Sequence, residues 1–232
     1  MSKFLYNEVA AQMSADGNFM IKVDGQVFKT PNGETVVGNG MLIKALAEEL
    51  KTQKTELNFH DMPLTRYVFT AFDRVRGRRD SVINEIVRYV ETDLLCYRVS
   101  SPQELVKKQD KLWQPLVDWS KDKYGIGLIT SVGTLSILQD PATLKKVHQI
   151  IKLMNNFRLT GMYKAVALSG SAIVGLAILE GTLTVEKAWK IANLEESWQL
   201  ERWGHDTELL ERLTISKKEF ADLGHFLSLI KL

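Results

Sequence analysis

The residues able to carry covalent or metal chemistry are few and scattered. The histidines are His60, His148, His205 and His225, and the single thiol is Cys96. Zinc sites draw on close pairs such as Cys-x-x-Cys or His-Glu-x-x-His, and neither spacing occurs. No metal site and no cofactor is expected. A Cys96–His60 nucleophile pair would give hydrolase chemistry, but Asp93-Leu94-Leu95-Cys96-Tyr97 reads as a packed, buried cysteine. Ser169-Gly170-Ser171 is not a nucleophile elbow and lies inside an apolar helical run. Gly125-Ile126-Gly127 lacks the third glycine and the helix of a dinucleotide fingerprint, and there is no Walker A loop.

Two charged segments remain. Arg74, Arg76, Arg78 and Arg79 fall within six residues, flanked by Asp73 and Asp80. They are the alternative function: a nucleic-acid-associated protein reading phosphate. No aromatic interleaves them for stacking, so a solvated helix end or an ion-pair network is the plainer reading. The second segment is a long helix expected from Val185 to about Trp203, capped by Thr184. On a wheel at 100° per residue, Val185, Trp189, Ala192, Glu196, Leu200 and Trp203 share one stripe, with Gln199 at its edge. Ile191, Leu194 and Trp198 form a second apolar stripe. A helix apolar on two faces is deeply buried or half-covered by another protein. From Glu195 to Glu211 there are six acids (Glu195, Glu196, Glu201, Asp206, Glu208, Glu211) against one Arg. Either this is a solvated acidic face with Glu196 paired to an arginine of the basic cluster, or it is a Trp-flanked acidic surface that docks a protein.

The elements that must position these groups divide in two. Residues 1–60 contain no Arg. Phe19–Val23 and Gln26–Thr30 flank Asp24-Gly25, a strong hairpin signal. Glu34–Val37 and Leu57–Phe59 are further short strands, and Leu42, Ala45, Leu46, Glu49 and Leu50 recur at helical spacing. After Pro63 the pattern is helical: Leu64–Arg76, Asp80–Cys96, a helix opened by a Ser101–Glu104 capping box and ended by Gly125, a helix capped by Asp140-Pro141, an apolar helix over 161–179, the 185–203 helix, and a last helix opened by a second box at Ser216–Glu219. Leu128–Val132 is a short strand. The fold class is α+β, with a small antiparallel β-rich domain (1–60) and a larger all-α domain (61–232).

The chain has 232 residues, 45% hydrophobic and 25% charged, with a net charge of +2. Such a chain buries roughly 70% of its unfolded surface without staples. The charge balance argues against a dedicated nucleic-acid binder. Ala165–Leu179 is 15 residues long, short of the roughly 20 that span a bilayer, so no membrane insertion is expected. Residues 1–10 show no apolar or Arg-rich targeting pattern, and one cysteine suits a reducing compartment.

Met62-Pro63-Leu64-Thr65-Arg66 with Thr70–Val75, Thr92–Arg98 with Pro102, Leu105, Gln109 and Trp113–Leu116, and Leu194-Glu195-Glu196 with Gln199, Glu201, Trp203-Gly204, Asp206 and Glu208 together resemble the assembly chaperones of the F-type ATP synthase catalytic head. Val23-Asp24-Gly25 and Thr30-Pro31 match too. Relatives commonly carry Asp at the position of Glu195 and Trp at that of Leu50. The resemblance implies a non-enzymatic chaperone that binds the unassembled alpha subunit and prevents its aggregation until the beta subunit replaces it. It also implies a partner site at Glu195, Glu196, Gln199, Glu201, Trp203 and Asp206; the helical stripe adds Trp189, and Glu196 is foremost because motif and stripe coincide there. A cytoplasmic bacterial monomer is expected, eukaryotic relatives being in the mitochondrial matrix.

Overall fold

A computed structural model describes residues 5–53, 56–133, 137–204 and 206–231. His205 lies outside them. The chain forms two compact units: Met1–Arg79 with Asn155–Thr160 and His225–Leu232, and Asp80–Met154 with Gly161–Gly224. The strand-bearing unit thus takes in chain beyond residue 60.

In the first unit, β1 (Val9–Met13), β2 (Phe19–Val23), β3 (Gln26–Val27) and β4 (Val37–Gly38) form an antiparallel sheet in which β2 pairs with the other three. The hairpin turn is Asp24-Gly25, with φ of 48° and 81°, the two positive values a tight primed turn requires. Asp24 suits the position for a second reason: its carboxylate accepts from the N–H groups of Asn7 and Glu8 at 3.0 and 2.8 Å, fixing the chain entering β1. Helix α1 (Gly40–Lys51) is capped by Asn39 and buries Leu42, Ile43, Leu46, Ala47 and Leu50. A side chain at Gly40 would meet the Phe19 ring at 3.1 Å.

Helix α2 (Pro63–Phe69) starts on Pro63 and continues into a π-helical turn at Thr70–Val75. Its free N-terminal N–H groups are met from α1: Glu49 accepts from Leu64 N, Thr65 N and Thr65 Oγ1 at 2.9, 2.7 and 2.6 Å. The strand expected at Leu57–Phe59 is instead a 3-10 turn, Phe59–Asp61, capped by Asn58. The short polar side chain of Asn58 offers the backbone a turn in place of a ladder.

Among the described residues the second unit is helical apart from a two-residue parallel pairing of β5 (Tyr97–Arg98) with β6 (Ser131–Val132). Its helices are α3 (Arg79–Glu91), α4 (Gln103–Tyr124), α5 (Pro141–Lys152), α6 (Asn156–Ser169), α7 (Ala172–Leu179), α8 (Val185–Ala192), α9 (Leu194–Trp203) and α10 (Thr207–Leu229); the first turn of α6 and the last residues of α10 belong to the first unit. All eight residues of α7 are buried. No helix among the described residues is long and apolar enough to cross a membrane.

Several helix boundaries differ from expectation. The helix expected over Asp80–Cys96 ends at Glu91, and Leu94–Cys96 is a separate 3-10 turn with Asp93 at its N-cap. The 161–179 run is broken at Gly170, where φ is +66°, and Ser171 caps α7 by accepting from Val174 N at 3.0 Å. Gly170-Ser171 is therefore a link between helices, with Ser169 the last residue of α6. The 185–203 run breaks at Asn193, with φ −111° and ψ 25°. Pro102 occupies the N-cap of α4 with no side-chain cap, so the Ser101 box does not form; Glu104 instead faces Arg202 at 3.6 Å. Ser216 lies within α10, which starts at Thr207 because Asp206 caps it by accepting from Leu209 N at 3.0 Å.

Candidate functional site

Glu195, Glu196, Gln199, Glu201 and Trp203 all stand on α9. Its position is set by the break before it. Asn193 donates through Nδ2 to the Trp189 carbonyl at 2.8 Å, closing α8, and its own carbonyl accepts from Ser197 N at 2.9 Å, opening α9. Ile191, Leu194 and Trp198 face the core. Trp113 of α4 anchors the same junction, donating from Nε1 to the Ile191 carbonyl at 3.1 Å.

The carboxylates are each held by a neighbouring helix. Glu195, half-buried, accepts from Gln109 Nε2 of α4 at 2.6 Å. Burial raises its carboxyl above the usual range, the Glu196 charge adds to this, and the Gln109 bond opposes it. Glu201 pairs with Lys108 of α4 at 3.0 Å. Glu196 pairs with Arg212 of α10 at 2.9 Å, the two side chains 41% and 61% exposed. The internal cation for Glu196 is thus Arg212, not a member of the 74–79 cluster. Gln199 is exposed. Trp203 is 72% exposed and meets Trp198 edge-on, the rings 5.2 Å apart at 87°.

Trp189 faces elsewhere. It and Leu200 line a groove of ≈ 720 Å³ beside α9, with Leu112, Leu194, Leu210 and Leu213 as the other apolar walls and Lys108, Lys111, Lys190 and Lys217 among its lining residues. The structure therefore disperses the expected site: Glu196, Gln199 and Trp203 on an outer face, Trp189 and Glu201 on a groove, Glu195 turned to Gln109 and Asp206 at the cap of α10. No residue pattern pointed to the groove lysines, because they come from three separate helices.

The remaining motifs hold the fold. Asp93 caps the 3-10 turn Leu94–Cys96 and the start of α7 together, accepting from Leu95, Ala172 and Ile173 N–H groups at 3.0, 2.8 and 3.4 Å. Arg98, 8% exposed, donates to the carbonyls of Leu95 and Gln109 at 3.0 and 3.3 Å and lies 5.3 Å from the Trp113 ring centre. Cys96 is fully buried, and its sulfur accepts from Gln139 Nε2 at 3.4 Å. Burial, then the Asp93 charge, pushes its thiol up to about 12, which leaves no nucleophilic thiolate at neutral pH. In the basic cluster, Arg76 pairs with Glu34 at 2.9 Å, Arg79 donates to Asn156 Oδ1 at 2.8 Å, and Arg74 is engaged as well.

Comparison with known proteins supplies the family. A family model described as "ATP12 chaperone protein" matches residues 3–121. The mitochondrial protein atp12 of Schizosaccharomyces pombe is 28% identical over 202 residues, covering 82% of this chain and 69% of the relative. The crystal structure of Atp12 from Paracoccus denitrificans superposes with a TM-score of 0.90 at 28% identity, covering 99% of both chains. A mutant of the same protein gives 0.92, and a structure from Agrobacterium tumefaciens gives 0.90 at 32% identity over 98% of this chain and 85% of that one. The chain belongs to the ATP12 chaperone family. It is a chaperone of ATP synthase assembly.

Proposed function

We propose that the protein binds the unassembled alpha subunit of the F-type ATP synthase and shields it from aggregation until the beta subunit takes its place. The observation that carries this reading is Trp203, a large indole 72% exposed at the end of α9 and braced by Trp198. Rigid exposed aromatics are frequent anchors of protein interfaces. Around it, Glu196 and Gln199 supply acceptors, and partner Lys or Arg side chains would set register through them. Such a holdase must bind firmly and still be displaced. A Kd around micromolar, about −8 kcal/mol, suits both demands.

The action needs no bond-breaking step, and we place it in a bacterial cytoplasm with the protein as a monomer. The test is light scattering by the cognate alpha subunit with the wild type, Trp203→Ala and Glu196→Lys. Suppression near one-to-one by the wild type, without ATP hydrolysis, and loss in both variants supports the reading. Full protection by both variants refutes the α9 face as the contact; no protection by the wild type refutes the function.

A further inference from the structure

The groove beside α9 has a charge pattern opposite to the acidic face that the sequence suggests. Its apolar walls come from Leu112 on α4, Trp189 on α8, Leu194 and Leu200 on α9, and Leu210 and Leu213 on α10. Leu210 is 48% exposed there. Four lysines stand around these walls against one carboxylate, Glu201, which Lys108 already neutralises at 3.0 Å. Lys111 and Lys190 are exposed and make no ion pair with any described residue. Lys217 lies 5.5 Å from the Trp189 ring centre. The chain as a whole carries only +2, so this local excess is not a reflection of overall composition.

The volume, ≈ 720 Å³, is in the range of sites that take specific ligands, about 300–1,000 Å³. The Trp189 indole nitrogen is buried with no hydrogen-bond partner among the described residues, a state that costs free energy. Repacking of Trp189 around an incoming carbonyl or carboxylate would relieve it.

From this pattern we infer that the groove docks an acidic amphipathic helical segment of the client protein, its apolar stripe on the leucines and Trp189 and its flanking carboxylates on Lys111, Lys190 and Lys217. Helix-in-groove recognition uses anchors at i, i+3, i+4 and i+7, and complementary charge around the groove favours acidic segments and excludes basic ones. The inference rests on the chaperone reading above but concerns a different face, so the two fail separately.

The probe is a labelled Leu/Glu amphipathic helix of about 20 residues, long enough to hold helix in water, titrated with the full-length protein by fluorescence anisotropy. A Leu/Lys helix of the same pattern is the control. The expected result is binding of the Leu/Glu helix alone, weakened about tenfold or more by Lys111→Glu/Lys190→Glu and also by high salt. Circular dichroism checks that the variant folds, and Lys111→Ala/Lys190→Ala gives a milder version of the same loss. The same charge-reversal variant must also protect the alpha subunit less well. Equal binding of both helices, binding untouched by the lysine changes, or full alpha protection by the charge-reversal variant overturns the inference. So does a homodimer that the variant dissociates, or lysine-dependent binding to phosphatidylglycerol vesicles without helix binding. If the wild type binds the helix but never protects the alpha subunit, the function proposed above falls and the groove remains a site for acidic helices.

Discussion

Asp93 offers a sharp test of the physics in the helical unit, because two large effects oppose each other on one carboxylate. It is fully buried. Burial pushes its carboxyl up from 3.8 to about 6, against the pull of hydrogen bonds from Ser171, Leu95, Ile173 and Ala172. At about 1.4 kcal/mol per tenfold change, a rise from 3.8 to about 6 is worth about 3 kcal/mol. The folded protein then binds this proton more tightly than the unfolded chain does. Stability from Asp93 is fully present below about pH 4, falls as pH rises through about 6, and is flat above that. Asp93→Asn removes the titration while keeping the shape and one acceptor oxygen, at a pH-independent cost of about 1–3 kcal/mol for an N–H left without a partner. The measurement is urea unfolding of both proteins at pH 4 and pH 7.5. The stability advantage of the wild type over Asp93→Asn should be about 2 kcal/mol larger at pH 4, since pH 4 lies close to the unfolded value and part of the effect is already lost there. An advantage that grows with pH would falsify the argument: the N–H donors and the α7 N-terminus would then outweigh burial and hold the carboxyl below its ordinary value.

Other outcomes follow from single contacts. Gly224→Ala on α10 puts a Cβ 2.8 and 3.2 Å from the two methyls of Val185; overpacking of about 1–3 kcal/mol against about 1 kcal/mol gained in helix propensity should lower the melting temperature by a few degrees, and an unchanged or raised value sinks the close-packing account. Cys96, with its thiol pushed up to about 12, should resist alkylation until the protein is unfolded, and rapid labelling of the native protein at pH 7.5 would contradict its burial. Trp113→Phe loses the bond to the Ile191 carbonyl and should cost about 1–3 kcal/mol for the orphaned acceptor, read by urea unfolding; a neutral change would mean that the junction of α8 and α9 does not depend on it.

What the sequence made legible was local. Asp24-Gly25, Thr184 and Asp140-Pro141 act within two or three residues of themselves, and each forms the turn or cap its chemistry predicts. Strand β1 was missed because Val9–Met13 is stabilised only by pairing with β2, from Val9 opposite Val23 to Met13 opposite Phe19. The breaks at Gly170 and Asn193 were missed for another reason: apolar spacing runs on through both, and what stops the helix is backbone conformation at one residue. The carboxylates of α9 were legible as a cluster but not in their roles. The partners of Glu195 and Glu201 lie 86 and 93 residues earlier in the chain, and no local pattern reaches that far.

The pairing of Glu196 decides how its charge should be tested. Both members of the Glu196–Arg212 pair are well exposed, 41% and 61%, so screening leaves at most about 1 kcal/mol of stability in it. Glu196→Lys should therefore fold, with a melting temperature within a few degrees of the wild type. Losing alpha protection would not by itself show that Glu196 touches the client, since a lysine there also repels Arg212 and could shift α9. The exchange Glu196→Arg with Arg212→Glu separates the two. It restores an ion pair across α9 and α10 while reversing the charge offered at position 196. If Glu196 meets a client cation, the exchange regains stability in urea but not protection in light scattering. If protection returns with the pair, the carboxylate serves to hold α9 in place, and the client contact falls to Trp203 and Gln199.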